Sequence, residues 1–141
     1  MEPDGILLLR TLTMPCDANP NGDIFGGWIM SKLDEAGALL AFEMCRGKVV
    51  TVAVKEIVFK VPVKVGDTVC VYGRCVHIGN TSLGVKLQLW TRRNCAEWSS
   101  RAMVTETEIT YVAIDDFGKK RPLPKCISDN EKIILEKGFL E

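Results

Sequence analysis

The 141-residue chain has one histidine, no excess of either charge, and no pair of cysteines at CxxC spacing. Each shortage excludes something. With His77 alone and Cys16, Cys45, Cys70, Cys75, Cys95 and Cys126 scattered, neither a zinc site nor a haem attachment is spelled out. The 18 basic residues balance the 18 acidic ones, so no long-range field draws the chain to nucleic acid or an anionic membrane. The apolar run "AGALLAF" is far shorter than the roughly 20 residues that span a bilayer. No GxSxG elbow, GxxxxGK[ST] loop or GxGxxG turn occurs, which leaves serine hydrolysis, nucleotide hydrolysis and dinucleotide binding without an anchor. The opening "MEPDGILLLR" has two acids where a signal peptide carries a basic flank, so a cytoplasmic protein with reduced thiols and no metal or cofactor is expected.

What is present is strongly patterned. "ILLLRTLTM" (6–14) reads as a first strand, ended by Pro15 and a loop rich in Pro, Asn, Gly and Asp. From about Gly26 to Cys45 there is neither proline nor a β-branched run. Met30, Asp34, Gly37, Ala38, Ala41 and Cys45 recur there at the spacing of one helical face, made of small residues that suit a close neighbour or a tight fit to a sheet. Gly47 is expected to stop this helix. The pattern then switches to a period near two in 49–59, 68–79, 81–93 and 100–115, which read as four antiparallel strands. "KVPVKVGD", "IGNTS" and "NCAEW" supply turns with no room for a crossover helix. Ser128 and Glu131 stand at capping-box spacing ahead of "KIILEKGFL", predicting a short terminal helix. The expected fold class is α+β, one long central helix on a curved antiparallel sheet over residues 1–125, with a helical tail over 126–141. A sheet of that size leaves edges uncovered, so self-association is expected.

The chemistry concentrates around the long helix. Asp34 is a carboxylate among small and apolar residues, which is either a structural acid held by hydrogen bonds or a group kept for reaction. Gly26 and Gly27 stand at the helix start, where unpaired N–H groups and the helix dipole favour negative charge, and glycine lets a carbonyl approach the backbone. Asp34 lies two turns beyond Gly27, roughly 10 Å along the axis, too far for both to reach one reacting atom from a single helix. Two such helices, antiparallel across a twofold axis, would bring the acid of one beside the glycines of the other. Taken alone, Asn19 in "DANPNG" reads as a turn residue and Thr51 as ordinary strand filler. Asp23 suits a helix cap more than a place lining the site, Glu35 a surface pair with Lys32, and His77 a strand histidine.

"DANPNGDIFGGWIMSKLDEAGA", "KVGDTVCVYGRC" and "YVAIDDFGKKRPLP" resemble the hotdog-fold acyl-CoA thioesterases, most closely the short bacterial YciA type, over about residues 6–124. The resemblance implies hydrolysis of acyl-coenzyme A in a site shared by two subunits, with coenzyme A as part of the substrate. It implies Asp34 as general base or nucleophile and Asn19 placing the thioester or the water. It implies the Gly26 and Gly27 backbone as the oxyanion site, with Thr51 close by. It further implies dimers, often three to a hexamer. Scattered cations such as Lys60, Lys64, Arg92 and Arg93 could hold the nucleotide or could be a solvated face. A non-catalytic acyl-CoA sensor on the same fold is the alternative, although a neutral chain without a basic helix lacks the DNA-binding segment such regulators carry.

Overall fold

The computed structural model describes residues 1–93, 97 and 100–140. Five antiparallel strands, β1 (Ile6–Leu12), β2 (Val49–Val54), β3 (Thr68–Ile78), β4 (Ser82–Arg92) and β5 (Ala102–Ala113), form one sheet in the order β1-β3-β4-β5-β2. The strands on either side of the long helix α1 (Gly26–Cys45) therefore lie at opposite edges. The helix touches all five strands, as a helix carried across one sheet face must. This is the α+β arrangement expected, with β3, β4 and β5 as consecutive hairpins. The "IGNTS" hairpin closes with Gly79 N–H donating to Ser82 O at 2.8 Å. Gly66 turns the chain into β3 at φ +88°, a conformation that L side chains rarely adopt.

Helix α1 has the expected bounds, but its buried face is only partly the expected one. Ile29, Leu33, Ala36, Gly37, Leu40, Ala41, Met44 and Cys45 point inward, whereas Met30 is exposed and Asp34 and Ala38 are half-buried. Orientation follows apolar area. Leu33 and Leu40 are worth about 1.5–3 kcal/mol each on full burial, far more than the small residues beside them. They meet the inward rows Val69 and Val71 of β3, Leu83, Val85, Leu87 and Leu89 of β4, and Ile109 and Tyr111 of β5. Asp34 thus stands on the helix flank rather than inside it. Gly37 and Ala41 settle the choice between a close neighbour and a tight sheet fit in favour of the sheet.

Three further expectations shift. Arg46, at φ 53°, rather than Gly47, takes the left-handed position that ends α1. A Cβ on Gly47 would lie 2.8 Å from Arg121 Nη2, the tip of the side chain that donates to Cys45 O at 3.0 Å and caps the helix. Strand β2 stops at Val54 although the alternation runs on to Phe59. Beyond it Lys55 and Lys60 still donate to Glu108 O and Val104 O of β5 while the residues between leave the ladder. The tail folds as two helices, α2 (Lys125–Asp129) and α3 (Glu131–Lys137). Pro124 starts a helix one turn early, so Ser128 falls inside α2, donating to Lys125 O, and Asn130 occupies the N-cap of α3. The boundary at 125/126 therefore falls in the first turn of α2, and Ile127 and Ile134 join the core. Of the expected bend at "NCAEW", all but Glu97 lies outside the described residues.

Candidate active site

At the start of α1, Phe25 is the N-cap residue, with no side-chain cap, and its own N–H donates to Asp17 O. The first-turn amides have no acceptor within the helix and sit at its positive end. A Cβ on Gly27 would meet nothing within 4 Å, so the backbone there is approachable. Gly26 differs: its Cβ would lie 3.2 Å from the Phe59 ring, so this glycine lets the post-β2 segment fold over the helix start. Asp23, expected to cap the helix, instead pairs with Lys64. The short loop explains this, because Asp23 also bridges in backbone to Lys64, which keeps its carboxylate on that side.

Two turns along, the Asp34 carboxylate is held from the sheet. Thr51 Oγ1 donates to Asp34 Oδ1 at 2.7 Å, and the Tyr111 hydroxyl lies 3.1 Å from Oδ1 and 2.9 Å from the Asp34 carbonyl oxygen. Thr51 and Tyr111 are directly opposed partners of β2 and β5, so one cross-strand pair presents both hydroxyls to one oxygen. Tyr111 is wholly buried, and burial followed by the Asp34 charge pushes its phenol far above the usual range, so it remains a donor. Among the described residues no hydrogen bond reaches Asp34 Oδ2. That oxygen belongs to a residue lining an open cleft of about 370 Å³ with Gly27, Met30, Ser31, Val54, Ile57 and Ile109.

Asp67 shows what a structural acid looks like in this fold. It is 1 % exposed, and one of its oxygens receives Lys64 N–H, Thr91 Oγ1 and Arg93 Nη1 at 2.8–2.9 Å. Asp34 shares neither the burial nor the cationic partner.

The other expected residues divide. Asn19 uses its carboxamide oxygen on the loop itself, accepting from the Asn21 and Asp23 amides at 2.9 and 3.1 Å, and it does not line the cleft of its own chain. Glu35 pairs with Lys32 at 2.9 Å on the surface, and His77 sits in β3 opposite Gly84. Of the cations, Lys64 and Arg93 are engaged by Asp23 and Asp67, while Lys60 lines a separate pocket with Trp90 and Arg101. Among the described residues no cluster of His, Cys, Asp and Glu could hold a metal, and no helix is long and apolar enough to cross a membrane. Met30 shares the cleft with Asp34, as it shares its helical face in the sequence, whereas Tyr111 and the cleft walls Ser31 and Ile57 carry no such local mark. The signal for Tyr111 was Gly37, a glycine in mid-helix that propensity does not explain.

A single long helix on a five-stranded antiparallel sheet in this order, with a clamped carboxylate on the helix flank, defines a hotdog-fold protein. The chain belongs to the thioesterase superfamily, whose pattern matches residues 21–95. It is 51% identical over 123 residues to the acyl-CoA thioester hydrolase YciA of Salmonella typhimurium, covering 86% of this chain and 92% of that protein. Its fold superposes with a TM-score of 0.87 on HI0827, a hexameric broad-specificity acyl-coenzyme A thioesterase, at 44% identity over 96% of this chain and 93% of that one. The hexameric thioesterase y2039 of Yersinia pestis gives a TM-score of 0.82 at 49% identity, over 87% and 98% of the two chains.

Proposed function

We propose that this protein hydrolyses acyl-coenzyme A thioesters to a free acid and coenzyme A, in a site completed by two copies of the chain. The observation that carries the reading is the clamped Asp34 on a cleft that also reaches the open first turn at Gly27, in a chain half identical to acyl-CoA thioester hydrolases. The thioester carbonyl is held by the first-turn amides of one copy, at Gly26 and Gly27. Asp34 of the other copy takes a proton from water as the water oxygen bonds to the carbonyl carbon. The negative charge that develops on the carbonyl oxygen faces the helix dipole. Collapse of the tetrahedral intermediate breaks the C–S bond, and the thiolate recovers the proton from Asp34. Thr51 holds the carboxylate. Asn19, its oxygen committed to the loop, contributes through its amide side from the copy that supplies the glycines.

Two copies are required because Gly27 and Asp34 are seven residues apart on α1, roughly 10 Å along its axis, too far to act on one carbonyl. The β2 edge supplies the seam. Val50, Val52 and Val54 are exposed there, and an exposed apolar edge strand is a template for a second strand. Three such pairs closing about a threefold axis match the hexamers of HI0827 and y2039. The five described cysteines are free thiols, three of them buried, which suits a reducing cytoplasm.

A thiol-release assay over a panel of acyl-CoAs tests the reading. Asp34→Asn should lower turnover by about three orders of magnitude with the fold intact. Mixed assemblies of Asn19→Ala and Asp34→Asn subunits should regain part of the activity lost in each alone. Acyl-CoA binding without thiol release by the wild type would make the protein a sensor instead.

A further inference from the structure

We infer that Tyr111 is a positioning residue for the reaction and that it determines which oxygen of Asp34 does the chemistry. The inference rests on the reading of Asp34 above and goes beyond it. The Tyr111 hydroxyl lies within hydrogen-bond distance of two atoms of the same residue, the Asp34 carbonyl oxygen at 2.9 Å and Oδ1 at 3.1 Å. A group in that position fixes the carboxylate relative to its own backbone, and so fixes the rotation about the Cα–Cβ bond. Thr51 adds a second donor to Oδ1 at 2.7 Å. With Oδ1 taken from two strands, Oδ2 is the oxygen left to meet the water.

The helix is built around this contact. A Cβ on Gly37 would lie 2.2 Å from the Tyr111 hydroxyl oxygen and 2.9 Å from its Cε2, so any other residue at 37 displaces the phenol. Gly37 lies three residues beyond Asp34, on the adjoining turn. A mid-helix glycine is less stable than alanine, and here that cost makes room for the ring that orients the acid. Phenylalanine at 111 would fill the same slot, so packing alone does not account for the hydroxyl.

The test separates kcat from KM in Tyr111→Phe. The variant should keep KM within about twofold and lose about ten- to a hundredfold in kcat, the range expected when a reacting group is misplaced by an ångström or so. Gly37→Ala should lower both thermal stability and kcat. Gly37→Ala with Tyr111→Phe should regain part of the stability, because the closest overlap is gone, while kcat stays at the Tyr111→Phe level. Unchanged kcat in Tyr111→Phe overturns the inference, as does recovery of kcat in the double variant. A crystal structure of the wild type with a non-hydrolysable acyl-CoA analogue reads the same point without a substitution: Oδ2 should face the carbonyl carbon, and Oδ1 in that position overturns the assignment. Should Asp34→Asn retain wild-type turnover, the reading of Asp34 itself fails. A dead Asp34→Asn beside a normal Tyr111→Phe removes only the role of Tyr111.

Discussion

The two edges of the sheet are finished in opposite ways. At the β1 edge the chain covers the part of β3 that β1 leaves free, while Leu7 and Leu12 of β1 itself stay exposed. Strand β1 pairs with β3 only as far as Gly73, and beyond that point the tail takes over: Cys75 N–H donates to Gly138 O, and Arg74 Nη2 donates to the Leu135 and Glu136 carbonyls, each at 3.0 Å. Arg74 thereby ends α3 and ties it to the strand. Ile127 and Ile134 seal the junction at 0 % exposure. At the β2 edge no described segment of the chain does this. Val50, Val52, Val54 and Val58 remain exposed, and the residues of the proposed site, Asp34, Thr51 and Gly27, all lie on this side. The closed edge ends the subunit, and the open edge is where the second copy of the proposed site would dock.

The contrast breaks most sharply at β2. Val50→Lys with Val52→Lys places two charges on the open strand without touching a cleft-lining residue, and charge is a common block to edge pairing. The particle mass from light scattering should fall, and thiol release should fall by about two orders of magnitude or more, because acid and oxyanion site are parted. A monomer with wild-type turnover would show that one chain suffices.

The mirror experiment at the closed edge should move stability and leave chemistry alone. Ile134→Ala removes a fully buried side chain that pins α3 and should cost about 2–5 kcal/mol in chemical denaturation. Particle mass and turnover per folded molecule should stay as in the wild type. Loss of turnover in step with the wild-type mass would mean that the tail supports the site as well as the edge.

The same contrast marks what the sequence discloses. The helix bounds, the five strands and Asp34 were legible because each is written in local periodicity or in one polar residue among apolar ones. The clamp on Asp34 was not. Tyr111 lies 77 residues away, and only the β2–β5 register and the docking height of α1 bring its hydroxyl to the carboxylate. Gly37 carried half of that information as a glycine without a local reason. The inward face of α1 keeps Gly37, Ala41 and Cys45 but turns away from Met30, because small residues at helical spacing count equally with leucines in a periodicity, whereas burial weighs them by area. Asn130, not Ser128, heads α3 because Pro124 begins α2 a turn earlier, a boundary that no capping box reports.

The smallest expected effect sharpens the closed side through pH. Asp4 bridges Arg74 of β3 and Lys86 of β4, and Lys86 also meets Glu106 of β5, so one ion network straps the N-terminal segment across three strands. Hydrogen bonds from Lys86 and Arg74 hold the Asp4 carboxyl below its usual range, and those from Gln88 and Lys86 do the same for Glu106. Both groups are depressed by folding. Their contribution is therefore complete above the ordinary carboxylate pKa, near pH 4, and drains away as pH falls through the lower folded values. The pairs are partly solvated, so screening keeps the effect small. Asp4→Asn should lower Tm at pH 7 by about 2 °C and should flatten the acid limb of Tm against pH, since the variant has less to lose. Turnover should not change, because none of Asp4, Arg74, Lys86 and Glu106 lines the cleft or touches Asp34. An acid limb as steep in Asp4→Asn as in the wild type would place the acid sensitivity elsewhere, with the β2 seam the next place to look.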